Sequence, residues 1–311
     1  MIGLYITLGA ITALFIIYWV IIFFAFRFAF VRNGAKSIAL NIPEEYGAAM
    51  KSDRDRLLSA AFEEVSIKSN DGLTLKADLL IGSVNKTVIL FHGYRSGPTD
   101  MSGAFVKYES AGYNILLVHH RAHGKSEGKY ITYGIRESED CLLWANYADK
   151  RFGGPIFLGG ISMGATTVLM AADKPLPPSV KAIAGDCGFS SPYAIISLVG
   201  RRMFHLPGFI MPMVMASLNF YCRTLGKFSI TEGSATESLK RATVPVAITH
   251  GEADDFVPCY MSEENARACA SPVSLYTVKG ADHGLSHLVD PEGCFNSVKN
   301  HFEKYTNEKM F

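Results

Sequence analysis

The chain has 311 residues, a formal net charge of +1 and 49% hydrophobic content, enough for one large α/β-sized core or two modest domains. A near-neutral charge without a long basic run argues against nucleic acid as a main partner. The six scattered cysteines (Cys141, Cys187, Cys222, Cys259, Cys269 and Cys294) form no CxxC pair and no zinc-type spacing, which argues against a disulfide framework or zinc site and leaves free thiols as the expectation.

The first element is apolar. From Ile2 to Phe26 there is no charged side chain; as a helix the stretch reaches about 37 Å, against a hydrocarbon thickness of roughly 30 Å. A signal peptide would carry a basic leader, a shorter apolar run and a small-residue cleavage site. The expectation is therefore a transmembrane anchor over residues 1–31. Arg27, Arg32, Lys36, Lys51, Arg54 and Arg56 follow it, and positive-inside logic places the bulk of the chain in the cytoplasm, single-pass at the cell membrane. Residues 32–60 read as a juxtamembrane linker with a short helix after Pro43.

From Phe62 the pattern turns to strands and helices. "FEEVSIKS" and "LTLKADLLI" alternate apolar and polar residues around Asn70-Asp71-Gly72, a hairpin signature. Short apolar runs of the buried-strand kind follow: "TVILFHG", "NILLVHH", "PIFLGG", "VKAIAGD", "VPVAITHG" and "VSLYTVKG". Amphipathic stretches separate them. That alternation predicts an α/β fold with a mostly parallel central sheet, helices on both faces and an antiparallel start. The apolar stretch between "AGDCGFSS" and "VPVAITHG" is broken by Arg201, Arg202, His205, Pro207 and Pro212. It reads as a helical cap insertion over about 190–243, within a unit spanning 61–311.

The chemistry gathers around "GGISMG". Ser162 sits between a buried strand and a helix, where a sharp bend projects its hydroxyl above the sheet. Gly160 and Gly164 remove the side chains that would collide there. A serine nucleophile needs a base, and the base needs an acid to orient it. Asp254, in "HGEADDFVP", follows the later strand "VPVAITHG" and His283, in "GADHG", follows the one after it, at the sheet edge where open parallel sheets bind ligands. Asp255 and His287 are their nearest competitors. The backbone N–H groups of Met163 and of Tyr94, in "FHGYRSG", are the candidate oxyanion hole, with Gly93 and Gly97 permitting close approach.

Together "FHGYRSG", "RAHGKSEG", "GGISMGA", "HGEADDFVP" and "GADHG" resemble the α/β-hydrolase superfamily, and more narrowly its membrane-anchored bacterial serine hydrolases of the serine aminopeptidase-like group. The resemblance runs from about Glu63 to the C-terminus. It implies Ser162 as nucleophile, His283 as general base, Asp254 as acid, and Tyr94 and Met163 as oxyanion donors. Where the family usually has an Asp before the RGxGxS-like stretch, this chain has His119, beside His120. His119, His120 and His123 invite a metal reading, but neighbouring strand residues face opposite ways, so neither metal nor cofactor is expected.

The expected activity is hydrolysis of a lipophilic carboxylic ester or thioester, a small-molecule or lipid-like substrate. The alternatives are an aminopeptidase or amidase, which would need an acidic clamp from Glu232, Glu237 or Asp186; an acyltransferase on the same residues; and, furthest from the motifs, a binding protein.

Overall fold

A computed structural model of the chain describes residues 1–32 and 43–306. The linker positions 33–42, Lys36 among them, and residues 307–311 lie outside the described residues. Eight strands are described: β1 (Glu63–Lys68), β2 (Thr74–Leu80), β3 (Thr87–Phe91), β4 (Asn114–His119), β5 (Ile156–Ile161), β6 (Val180–Asp186), β7 (Val246–Gly251) and β8 (Val273–Val278). The helices are α1 (Ile2–Phe30), α2 (Glu44–Ser59), α3 (Ser102–Ser110), α4 (Ile135–Phe152), α5 (Met163–Met170), α6 (Pro192–Phe204), α7 (Met211–Tyr221), α8 (Ala235–Leu239), α9 (Tyr260–Ala268), α10 (Ser286–Val289) and α11 (Pro291–Thr306).

The strands form one sheet in the order β1-β2-β4-β3-β5-β6-β7-β8. β1 and β2 pair antiparallel with Val65 opposite Ala77, and β2 lies antiparallel to β4. From β4 to β8 every pairing is parallel. Burial explains the difference. β2 alternates between half-buried and buried residues, as a sheet margin does, whereas every residue of β3 and β4 is buried, as strands covered on both faces must be. One face is filled by Trp144, Ala145 and Ala148 of α4 with Val168 and Leu169 of α5. On the other, Leu57 of α2, Phe105 of α3 and Phe302 of α11 pack on Val88, Ile115 and Phe157.

The segment between β6 and β7 is helical, as its broken apolar pattern predicts. In α7, Met211, Met215, Leu218 and Cys222 (just past the helix end) are buried, spaced four, three and four residues apart, which is one helix face. The linker is not merely polar. α2 lies on α3, with Leu57 buried and Arg56 donating two hydrogen bonds to Glu109, at 2.8 and 2.7 Å.

α1 divides into two parts. Its first sixteen residues stand exposed, whereas Ile22, Phe26 and Phe30 are buried against the body of the molecule. Tyr18 bonds Ser217 at 2.7 Å, Val31 bridges to Tyr130, and Arg32 donates to the carbonyls of Ser126 and Gly124, each at 2.7 Å.

Arg121 fastens the loop after β4. It is buried and forks onto Asp140 at 2.6 and 2.7 Å, with Asp71 at 3.0 Å beyond. Removing one partner of such a pair leaves a buried charge uncompensated. Arg121→Ala is expected to cost on the order of 3–5 kcal/mol, read from urea unfolding in detergent, whereas replacing Arg121 and Asp140 together with Leu should cost markedly less.

Candidate active site

Ser162 occupies the bend between β5 and α5 with φ 54° and ψ −116°, a left-handed conformation that strains any residue with a Cβ. The surroundings enforce it. A Cβ on Gly160 would overlap the backbone of Gly164, and one on Gly164 would overlap the carbonyl of Phe91. Helix α5 therefore lies backbone-to-backbone on the strand ends. Met163 is its first residue, so its N–H has no intrahelical acceptor. It opens beside Ser162, where the helix dipole favours negative charge.

Two further strand ends reach the same place. Asp254 follows β7 and His283 follows β8. His283 Nε2 stands 2.9 Å from Ser162 Oγ, and its Nδ1 stands 2.7 Å from Asp254 Oδ2. Asp254 Oδ1 accepts the N–H groups of Phe256 and Val257, at 2.9 and 2.7 Å, which fixes the carboxylate plane. Burial works to raise the Asp254 pKa. Hydrogen bonds from His250 and His283, the His283 charge and the Val257 N–H outweigh it and hold the carboxyl below its ordinary value. The loops carrying the two side chains are also joined, because Ala253 N–H bonds Ala281 O at 3.0 Å. Of the competitors, Asp255 donates its N–H to Asp282 and accepts from Arg202 at its carbonyl, and His287 packs against Gly103, away from Ser162.

The loop after β3 runs beside the serine, with Gly93 held 3.6 Å, at its Cβ direction, from Ser162 Cβ. Open space surrounds the Cβ direction of Gly97, and its φ is extended. What sets this loop is the histidine group, and the sequence pattern left its role open. His92 Nδ1–H donates to Gly93 O at 2.8 Å, while its Nε2 accepts His120 N–H at 3.3 Å. His120 Nε2–H donates to His92 O at 3.1 Å. His123 Nε2 accepts Arg95 N–H at 3.0 Å, and its Nδ1–H donates to Arg121 O at 2.8 Å. These rings are spent on backbone groups. His119, also buried, bonds Asp78 at 3.0 Å, and its carbonyl accepts Ser126 Oγ–H at 2.6 Å.

Cys187 lies beneath the site, fully buried, with its sulfur and the ligand atoms of Asp254 and His283 all within 4.8 Å of one another. Burial raises the thiol well above its ordinary pKa, so it stays protonated, a poor metal ligand. The three acids named for a clamp have other partners or surroundings. Asp186 accepts Thr249 Oγ1 at 2.8 Å, Glu237 pairs with Lys240 at 2.7 Å, and Glu232 lines a separate cleft with Arg121 and Arg136.

A roof covers the site. Ser162 and His283 are each only 8% exposed. Tyr94 stacks on Tyr133 with centroids 5.0 Å apart, and Tyr133 meets Phe30 of α1 at 5.4 Å. Both tyrosine hydroxyls donate to Ala29 O, at 2.8 and 3.1 Å, and Arg95 donates to Phe28 O. Sequence reading placed α1 in a membrane but gave no sign that its last turn touches this loop.

A family profile described as alpha/beta hydrolase fold matches residues 86–214. The chain is 26% identical over 206 residues to the uncharacterized protein YqkD of Bacillus subtilis (strain 168), a match covering 65% of this chain and 66% of that one. Among solved structures, the Pyrococcus furiosus esterase Pf2001 superposes with TM-score 0.64 at 20% identity, over 89% of this chain and 98% of its own. Mouse alpha/beta hydrolase domain-containing protein 10 gives TM-score 0.58 at 20% identity, over 79% and 99%. Est1E of Butyrivibrio proteoclasticus, solved with ferulic acid bound, gives 0.57 at 19%, over 78% and 100%. The chain has an α/β-hydrolase fold.

The histidine network predicts a pH dependence. Burial lowers the pKa values of His92, His120 and His123, so the unfolded chain takes up protons that the folded rings refuse. Stability is then full above the ordinary imidazole pKa and declines as pH falls below it, by as much as about 1.4 kcal/mol per pH unit for each ring. The midpoint of thermal unfolding should drop steeply from pH 7 to pH 5. His123→Gln, which keeps an acceptor for Arg95 N–H and does not titrate, should flatten that slope.

Proposed function

We propose that this chain is a membrane-anchored serine hydrolase that cleaves carboxylic esters through an acyl-enzyme. The observation that carries this reading is the unbroken hydrogen-bond path from Ser162 Oγ through His283 to Asp254, set on a strained strand-to-helix bend beside a free helix N-terminus. In this reading Ser162 Oγ attacks the ester carbonyl and gives its proton to His283 Nε2. The N–H groups of Tyr94 and Met163 hold the oxyanion. His283 then protonates the departing alcohol, and a water deprotonated by His283 releases the acid and frees Ser162. Asp254 keeps the His283 ring in the tautomer whose Nε2 can accept a proton, and stabilises the imidazolium.

Met163, which follows Ser162, belongs to an apolar cluster with Phe189, Ile195 and Phe26 and Phe30 of α1. That apolar surrounding supports a lipophilic acyl group as substrate. The reading divides the chain into an anchor over 1–31, a linker over 32–60 and a hydrolase domain with its cap over 61–311. α1 is long and apolar enough to cross a bilayer, with only a few of its residues buried in the protein. A secretory leader would pass the same composition test, but the polar contacts at Ala29 and Arg32 tie this helix into the folded body, which favours a retained anchor. The basic residues after the span favour a cytoplasmic hydrolase domain.

Two measurements test the reading. A fluorophosphonate probe on the detergent-solubilised full chain should form an adduct that peptide mapping locates on Ser162 and that Ser162→Ala abolishes; a folded protein that takes no label at Ser162 would defeat the proposal. Asp254→Asn should lower kcat on p-nitrophenyl esters by a factor on the order of 10⁴, since an amide cannot accept from both the His283 ring and the Phe256 and Val257 N–H groups. Among these esters medium and long acyl chains should be preferred, and a flat profile would remove the lipophilic substrate.

A further inference from the structure

The cap carries apolar side chains on two opposite surfaces, and only one of them is used. In α7 the inner face is buried, but Met213, Ala216 and Phe220 are exposed, spaced three and four residues apart on the opposite face. Phe209, 84% exposed, stands one turn before Met213, and Met203 and Phe204 are exposed at the end of α6. A soluble helix is polar on the face it gives to water; one that is apolar all round is buried or in lipid. The same segment has a one-sided charge. Between Asp186 and Glu232 there is no acidic residue, while Arg201, Arg202, Arg223 and Lys227 are all present and exposed.

The unused surface is continuous with α1. Phe220 meets Trp19 edge-to-face with centroids 5.3 Å apart, and Tyr221 bonds Trp19 O at 3.2 Å. Length fixes the depth. A hydrocarbon core of roughly 30 Å takes about 20 residues of helix, which Ile2–Ile21 supplies, exposed except where Tyr18 and Trp19 meet the cap. Burial in the protein begins at Ile22. Trp19 and its neighbour Phe220 therefore sit at the edge of the hydrocarbon, the depth that aromatic side chains favour.

We propose that the cap face bearing Met203, Phe204, Phe209, Met213 and Phe220 beds into the bilayer leaflet from which α1 emerges, with Arg201, Arg202, Arg223 and Lys227 seated among anionic phospholipid headgroups. The occupant is an anionic bilayer surface. The roof over Ser162 then stands against lipid, and an acyl substrate reaches it from the membrane. The proposal rests on the anchor reading of α1, and its test separates the two.

The full chain is reconstituted into vesicles of phosphatidylcholine, with or without phosphatidylglycerol, carrying bromines high on the acyl chains. Trp19 reports α1, because the other tryptophan, Trp144, is fully buried in the core. Phe209→Trp reports the cap at a position exposed enough to accept the change. The emission gained by Phe209→Trp should be quenched by about half in the phosphatidylglycerol vesicles, as for a side chain lying 5–10 Å into the headgroup–acyl boundary. It should be quenched less in phosphatidylcholine alone, or when Arg201→Glu and Arg223→Glu are added. Quenching of Trp19 without quenching at position 209 overturns the proposal and leaves the anchor standing. Quenching at neither overturns both. A tryptophan at 209 shielded from bromine and from aqueous acrylamide alike would mean that a second copy covers the face, and would also overturn it. Equal quenching with and without phosphatidylglycerol removes the anionic surface.

Discussion

Helix α5 lies so close to the strand ends that no Cβ fits between them, and the position of Ser162 follows from that contact. With Gly164 against the carbonyl of Phe91 and Gly160 against Gly164, the chain can leave β5 only through a left-handed serine. The same closeness brings Gly93 alongside Ser162. It repeats two strands over, at the end of β7, where Gly251 lies against the backbone of Ala281. That second contact carries Asp254 and His283 on loops bonded to each other. The site is thus located by backbone packing at sheet ends, and its side chains need little further adjustment.

Around this frame the molecule spends three histidines on backbone rather than on chemistry. A buried backbone N–H left without an acceptor costs about 1–3 kcal/mol, and the loop after β3 turns away from the sheet where no strand can satisfy it. Neutral imidazole suits the place because each ring both accepts and donates. His92 and His123 do so across Gly93, His120, Arg95 and Arg121. Protonation would remove the acceptor nitrogen and break the contact, so burial and hydrogen bonding favour the same neutral state.

The sequence revealed the sheet because the strands are short, apolar and punctuated by glycine, a pattern that parallel burial demands. It revealed the arrangement of Ser162, Asp254 and His283 because each follows a strand, and strand ends in a parallel sheet converge. The histidine network was not legible, since His92 and His123 are 31 positions apart and only the loop fold brings their rings within 5.1 Å. The docking of α1 was invisible as well. Apolar residues that stay exposed and apolar residues that face protein have the same composition, and Ile22, Phe26 and Phe30 differ from Ile16 and Phe24 only in what the fold sets beside them.

That docking links α1 to the loop beside Ser162 through one residue. Tyr94 follows Gly93, which lies alongside Ser162, and donates its hydroxyl to Ala29 at the end of α1. Burying Ile22, Phe26 and Phe30 contributes about 1.5–3 kcal/mol each, and the bonds from Tyr94, Tyr133 and Arg95 satisfy carbonyls that a helix C-terminus otherwise leaves to water. A helix held this firmly is part of the roof. A tilt or vertical shift of α1 would pull on the loop that faces the serine, because densely packed interiors transmit displacement and do not absorb it. The placement of α1 and the geometry of the loop after β3 are therefore one constraint.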